Sequence, residues 1–433
     1  MPTEGHHPLV NVLAVLIVLG LLTAVHWYVW RRLIRDTTAP GSRARRAGTV
    51  AAFVFPALTV TAVAGPNLGI PFPLQPLAAW PGFLWGAVLI YLLLGLLVSE
   101  LLRPVLMRVA LRRSTSSPAD QAAPSVPAQS PTDPAAAQGQ APPSEPAGAD
   151  AHTTDAPELS RRLLVSRGIA ATVAVAAVGT VGAGTASFLG RPPQIKQITV
   201  PLARLPRSAH GMRIAVVSDI HLSAILGRAH TQRITDTINS TQPDLIAVVG
   251  DLADGEVHDL GRAAVPLGGL RSRHGTYFVT GNHDYLHNAP EWLDHLRNLG
   301  LVPLENARVE MPGFDLAGVN DLAGERYGSG PDFGKALNGR DPARGVVLLS
   351  HQPVTIHDAV RHGVDLQLSG HTHGGQLWPG PLLAELANPT VAGLDRYGDT
   401  QLYVTHGAGA WGPPTRIGAP ADITVIQLAS KQA

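Results

Sequence analysis

No cysteine occurs among the 433 residues. That absence excludes disulfides, thiol nucleophiles and thiolate metal sites, so any bound metal must rest on His, Asp, Glu or Asn. It does not select a cellular compartment. Charge is scarce as well. Asp, Glu, Lys and Arg make up 15% of the chain, and 33 basic against 32 acidic residues leave a formal net charge of +1. Without a basic excess there is no electrostatic case for nucleic acid as the main partner. So few charges, with a positive mean hydropathy, point instead to membrane segments.

Long apolar runs are there in the first quarter of the chain. Leu9 to Trp30 is about the length needed to cross a bilayer and ends in Trp27, Tyr28 and Trp30, residues suited to the interface. A second run covers Thr49 to Ala64 and carries Pro56; a third covers Trp80 to Leu102. Buried helices of a soluble protein are the alternative, and the uninterrupted apolar character favours spans. Residues 1–113 therefore read as a membrane region with three transmembrane helices. Arginines follow the first run (Arg31, Arg32, Arg35, Arg43, Arg45, Arg46) and the third (Arg103, Arg108, Arg112, Arg113), which places both clusters on the cytoplasmic side. These spans contain no Asp, Glu or Lys until Glu100, so they lack an evident ion path and serve as an anchor rather than a transporter.

Residues 114–159 are Pro, Ala, Ser, Gln and Thr with few large apolar side chains, the composition of a disordered linker. In residues 160–190, Ser160-Arg161-Arg162-Leu163-Leu164 precedes a mildly apolar run. Two readings are open: a fourth transmembrane helix, or an internal twin-arginine export signal, whose S-R-R-x-[FL]-L pattern this stretch resembles. Both carry the chain outward, so the expected protein is multi-pass in the cell membrane with residues 195–433 extracytoplasmic.

From Ile195 onward, short β-rich runs alternate with polar helical stretches. Strands are expected at Arg213–Ser218, Leu245–Val249, Thr276–Thr280, Phe314–Val319, Val346–Ser350, Asp365–Ser369, Leu402–Thr405 and Ile423–Leu428. Helices are expected near 228–240, 258–271, 290–299 and 355–362. Such alternation specifies an α/β domain with helices covering the sheet faces. Polar residues close several of these strands, the usual position of an α/β site. They read Asp219-Ile220-His221, Gly250-Asp251, Gly281-Asn282-His283-Asp284, Ser350-His351 and Gly370-His371-Thr372-His373-Gly374-Gly375. Two imidazoles two residues apart on extended backbone project differently, which suits two adjacent cations better than one.

Taken together, these blocks resemble the calcineurin-like metallophosphoesterases, whose pattern is D-x-H, G-D, G-N-H-[DE], H and G-H-x-H. The likeness covers about residues 210–430. It is nearest to the bacterial membrane-anchored phosphodiesterase branch grouped with UDP-2,3-diacylglucosamine hydrolases, with Tyr285 and Gln376 extending two blocks. The resemblance implies a four-layer α/β/β/α domain preceded by transmembrane helices. It also implies two divalent metal ions (Mn, Fe or Zn), with Asp251 between them, Asp219, His221 and His373 completing one site, and Asn282, His351 and His371 the other. Two cations about 4 Å apart can neutralise phosphoryl oxygens and provide a nucleophile at neutral pH. His283 matches a non-ligand histidine that contacts the phosphate or leaving-group oxygen. Asp284 either orients that imidazole or is a capping or loop acid.

Arg416 either reaches a substrate phosphate or is a surface charge. Trp378 and Trp411 either rim the site for a lipid tail or pack, with packing favoured. Asn320 and Asp321 close a strand and would act behind the ligands if they act at all. The implied activity is hydrolysis of a phosphodiester or pyrophosphate, on a lipid-linked or envelope substrate. The branch's usual lipid substrate is cut at the cytoplasmic face, which conflicts with the topology above. The rival readings are a phosphomonoesterase or protein phosphatase on the same centre, and a non-catalytic metal-binding receptor. No obligate protein partner is expected.

Overall fold

The computed structural model describes residues 8–65, 68–112 and 156–432. The expected linker lies outside the described residues up to residue 155. Four long helices come first: α1 (Pro8–Trp30), α2 (Arg43–Ala64), α3 (Gln75–Arg112) and α4 (Ala156–Gly190). Each contributes to a helical stretch long and apolar enough to cross a membrane: Leu16–Arg35, Arg43–Ala64, Phe72–Leu102 and Leu163–Gly190. Ile17, Phe53, Leu101 and Val175 on these helices are exposed, as side chains meant for an apolar solvent would be. Pro56 sits inside α2 without ending it.

Two compact units divide the chain, one of residues 1–49 and 92–175, the other of residues 50–91 and 176–433. In the first, Trp30 Nε1 donates to Thr49 Oγ1 at 3.0 Å, Arg32 pairs with Glu100, and Arg167 Nε donates to the Thr37 carbonyl at 2.9 Å. In the second, Phe55 stacks on Trp85 with ring centroids 4.8 Å apart. Phe188, near the end of α4, packs with Leu226 and Ala410. Gly184 brings α4 close to the 415–417 segment, where a Cβ would lie 2.6 Å from Thr415 Oγ1.

The second unit carries the sheets. Its first half runs β1 (Gln194–Leu202), β2 (Arg213–Val217), α5 (Arg228–Ser240), β3 (Leu245–Val249), α6 (Val257–Ala264), β4 (Thr276–Val279), α7 (Asn282–Leu286), α8 (Ala289–Asn298) and β5 (Val302–Pro303). Then come β6 (Ala307–Met311), β7 (Phe314–Gly318), α9 (Phe333–Leu337), β8 (Gly345–Leu349), α10 (Ile356–Arg361), β9 (Leu366–Ser369), α11 (Gly380–Ala384), β10 (Gly393–Tyr397), β11 (Thr400–Val404) and β12 (Asp422–Ser430). Two six-stranded sheets result, ordered β1-β12-β2-β3-β4-β5 and β10-β11-β9-β8-β7-β6. In the first, β2 to β5 run parallel; in the second, β7, β8, β9 and β11 do.

Alternation along the strands makes the layers. Leu245, Ala247 and Val249 of β3 face Leu316, Val347, Leu349 and Leu368 of the other sheet in the central core. Ile246 and Val248 turn the opposite way, onto Ile234, Ile238, Leu260, Trp292 and Leu296 of α5, α6 and α8. Val346 and Leu348 of β8 meet Phe333, Ala336, Ile356 and Ala359 of α9 and α10. Helices, sheet, sheet and helices stack as the expected α/β/β/α sandwich. The helix expected over 258–271 is shorter: α6 stops at Ala264, and Pro266 lies in a 3₁₀ turn, Val265–Gly269, since its ring cannot continue the α-helical ladder.

Candidate metal centre

Because β2, β3 and β4 are parallel in one sheet, and β8 and β9 in the other, their carboxyl ends can deliver side chains to a common edge. The chain beyond Val217 carries Asp219 and His221, that beyond Val249 carries Asp251, and α7 after β4 begins with Asn282 and His283. His351 follows β8; His371 and His373 follow β9. The backbone is bent sharply where the residues leave the strands. Asp219, His221, Asp251, His371 and His373 all have φ between 49° and 73°, the left-handed region that non-glycine residues seldom occupy. Such strain is typical of sites where side-chain placement matters more than local comfort. Close approach accounts for two glycines. A Cβ on Gly281 would strike the carboxylate of Asp251, and one on Gly370 would strike Ser218 and Asp219.

Two groups of side chains converge. In the first, His221 Nε2 lies 3.0 Å from His373 Nε2, and His373 Nε2 lies 3.3 Å from Asp219 Oδ1. Backbone N–H of His371 donates to both oxygens of Asp219 at 3.1 Å. In the second, His351 Nε2 lies 3.1 Å from Asp251 Oδ2, and His371 Nδ1 lies 2.9 Å from Asn282 Oδ1. Asp251 joins the two groups: the same Oδ2 is 3.8 Å from His221 Nε2. Its Oδ1 accepts the backbone N–H of His283 at 2.8 Å.

These groups suit a cation. Asp219 and Asp251 are buried, and buried carboxylates need positive charge beside them. Burial pushes the Asp251 carboxyl up, but His351, His221 and His283 outweigh it and hold it well below the usual carboxylate range. Burial pushes His221 down, yet Asp254, Asp251 and Asp219 carry it up to about 9. Burial and the charge of His351 bring His371 down to about 4. His351 gives the most direct test of fit. Its Nδ1–H donates to the Val249 carbonyl at 2.9 Å, which turns Nε2, buried and without a hydrogen bond, toward Asp251 Oδ2 at 3.1 Å. A divalent cation held between His351 and Asp251 would take the Nε2 lone pair and stand where a proton otherwise does. Asp219, His221 and His373 form one set able to hold an ion, and Asp251, His351 and His371 another.

Asp254 went unremarked in the sequence. It accepts from His221 Nδ1 at 3.0 Å and from His283 Nδ1 at 2.9 Å, so one carboxylate fixes both rings. Its only sequence signal is its place three residues after Asp251, which common loop acids share. Asp284 is not beside the His283 ring. Its oxygens accept backbone N–H groups of Gly281 at 2.7 Å, Leu252 at 2.9 Å and Asp251 at 3.1 Å. The capping alternative describes it, and Asp254 is the acid that orients His283.

Arg416 is neither on the surface nor free for a substrate. At 7% exposure, it donates to the carbonyls of Gly409, His373 and His406, each at 2.8 Å. Asp321 accepts from Gln352 Nε2 at 2.9 Å, next to His351, while Asn320 Nδ2 turns to the Ser329 carbonyl at 2.9 Å. Trp378 and Trp411 are 54% and 58% exposed, so packing does not describe them. The Trp411 ring stands edge-on to His283, centroids 5.6 Å apart.

A double-sheet α/β/β/α sandwich with His/Asp groups fit for divalent cations at its strand ends defines a metallophosphoesterase-type domain. A family model described as calcineurin-like phosphoesterase matches residues 212–375. A protein of Danio rerio called "transmembrane protein with metallophosphoesterase domain" is 42% identical over 271 residues, 59% of this chain and 61% of its own length. A metallophosphoesterase of Helicobacter pylori is 37% identical over 242 residues, 55% of this chain and 65% of its own. One from Aquifex aeolicus is 31% identical over 243 residues, 55% of this chain and 92% of its own. This chain belongs to the calcineurin-like metallophosphoesterase family. It spans under two thirds of the Danio rerio and Helicobacter pylori relatives.

Proposed function

We propose that the protein is a membrane-tethered phosphoesterase with two divalent cations, acting on phosphodiester or pyrophosphate bonds outside the cytoplasm. One observation carries the reading: a single oxygen of Asp251 lies between the two side-chain groups, 3.1 Å from His351 and 3.8 Å from His221. In this reading Asp219, His221 and His373 hold one ion, Asn282, His351 and His371 the other, and Asp251 faces both. Cations so held would supply Lewis acidity to the phosphoryl group and a nucleophile at neutral pH.

The remaining work belongs to side chains. Asp254 accepts a hydrogen bond from Nδ1–H of His283, which leaves Nε2 to meet a leaving-group oxygen. Burial pushes His283 down, but Asp254 and Asp251 outweigh it and raise its pKa, which keeps a proton available for donation. An exposed Trp411 beside that ring, with Trp378, supports the rim alternative and an amphiphilic, lipid-linked substrate.

The test is hydrolysis by the full chain in neutral detergent, stripped of metal and reloaded with Mn, Fe or Zn, on paired diester and monoester substrates. Activity should return only on reloading and favour diesters. His283→Asn should cost about 10²–10⁴-fold in kcat, with the larger loss on poorer leaving groups. A preference for monoesters would transfer the reading to a phosphomonoesterase, and a loss independent of leaving group would remove His283 as the proton donor.

A further inference from the structure

Where α4 ends, the second unit forms an open cavity of about 140 Å³, lined in part by exposed Arg191, half-buried Arg233 and buried Arg416 and by no Asp or Glu among the described residues. Arg416 is committed to backbone carbonyls. The other two are not committed. Among the described residues Arg191 makes no ion pair, and the only side chain that Arg233 reaches is His230, whose Nδ1 lies 3.5 Å from Arg233 Nη2. His230 Nε2–H donates to the Ile220 carbonyl at 3.2 Å, so Nδ1 is an acceptor and steadies the guanidinium at the cavity wall. Pro192, Pro193 and Pro420 stiffen the remaining walls. Phe188, buried, leans on the His230 ring at 5.8 Å. Arginines without carboxylates around a small, stiff cavity form an anion site, and planar guanidinium forks match phosphate oxygens in particular.

We infer that this cavity binds a phosphate group, separately from the metal centre. Position indicates the source. Arg191 directly follows Gly190, the last residue of the Leu163–Gly190 candidate span. If α4 crosses a bilayer, the cavity opens at headgroup depth, where anionic lipid phosphates are concentrated. A free phosphate ester offers the same chemistry. Only the choice of the lipid as source rests on the membrane reading; the site itself rests on the arginines and the cavity.

Isothermal titration of the full, metal-loaded chain in neutral detergent tests this, with inorganic phosphate, dihexanoyl phosphatidic acid and dihexanoyl phosphatidylcholine as probes. Phosphatidic acid should bind wild type and Asp251→Asn alike. The double change Arg191→Gln with Arg233→Gln should weaken it at least tenfold and leave hydrolysis of a soluble diester unchanged. Changing the same pair to Lys keeps the charge but removes the fork, and should weaken binding several-fold with thermal unfolding unchanged. Phosphatidic acid binding well above inorganic phosphate identifies the lipid; equal affinity identifies a soluble ester. Binding untouched by both double changes, or lost in Asp251→Asn instead, overturns the site and returns the ligand to the metal centre.

Discussion

Asp254 holds two imidazoles with one carboxylate, and this decides which nitrogen each ring presents. With both Nδ1–H groups donated to it, Nε2 of His221 faces His373, and in the proposed function Nε2 of His283 is the nitrogen that meets substrate. Asp254→Asn keeps the shape but can accept at only one atom. Such changes behind a ligand commonly cost about 10–100-fold in metal affinity or activity, so both should fall by about that much, measured as cation dissociation and kcat. Thermal unfolding should move little. Asp284 should behave in the opposite way. Its carboxylate satisfies three buried backbone donors, and Asp284→Ala leaves them bare, at about 1–3 kcal/mol each before the loop relaxes. Its main effect should be a lowered unfolding temperature, with the remaining folded enzyme still binding cations. A variant with unchanged stability and lost proton donation would restore Asp284 to His283.

At the scale of elements, strand ends carry the site, and this made much of it legible in advance. Strands β3 and β8 are continuous apolar runs because both of their faces are buried, and each ends in polar residues. The D-x-H, G-D, G-N-H-D and G-H-T-H blocks therefore announced themselves by position as well as by identity. Strands β6 and β10 did not, since their exposed residues erase the apolar pattern, and the short helices α7, α9 and α11 have too few turns to show a period. Asp284 was legible only as one of two alternatives, and the partners of Asp254 and Arg416 were not legible at all, for a different reason. Each acts through a partner chosen by the fold, and nothing local records which ring or which carbonyls it will meet. Backbone packing at the strand ends supplies a further prediction. Gly281→Ala places a methyl group against Asp251, and a shift of about 1 Å at a reacting site can cost about 10²-fold. kcat/KM should drop by at least that factor, whereas Gly227→Ala, with open space around the new methyl, should be nearly silent.

For the whole molecule, the arrangement of charge on the long helices bears on sidedness. Arg31 to Arg46, Arg103 to Arg113 and Arg161 to Arg167 flank one end of the apolar stretches, and the sandwich follows the opposite end of α4. By the positive-inside rule we propose that the sandwich lies outside the cytoplasm. An alkaline phosphatase reporter fused after residue 433 should be active, and a reporter active only in the cytoplasm should be silent there; the reverse pattern would bring the site inside and reopen the cytoplasmic lipid substrate. Whichever side it occupies, the chemistry stands or falls on cations gathered around Asp251. The direct measurement is metal content by plasma mass spectrometry of the washed full chain, beside its Asp251→Asn variant, with diester hydrolysis followed on the same samples. Two divalent ions per chain are expected, with cations and activity lost together in the variant. A metal-free chain that still hydrolyses diesters, or a variant that keeps both ions and full activity, would contradict it.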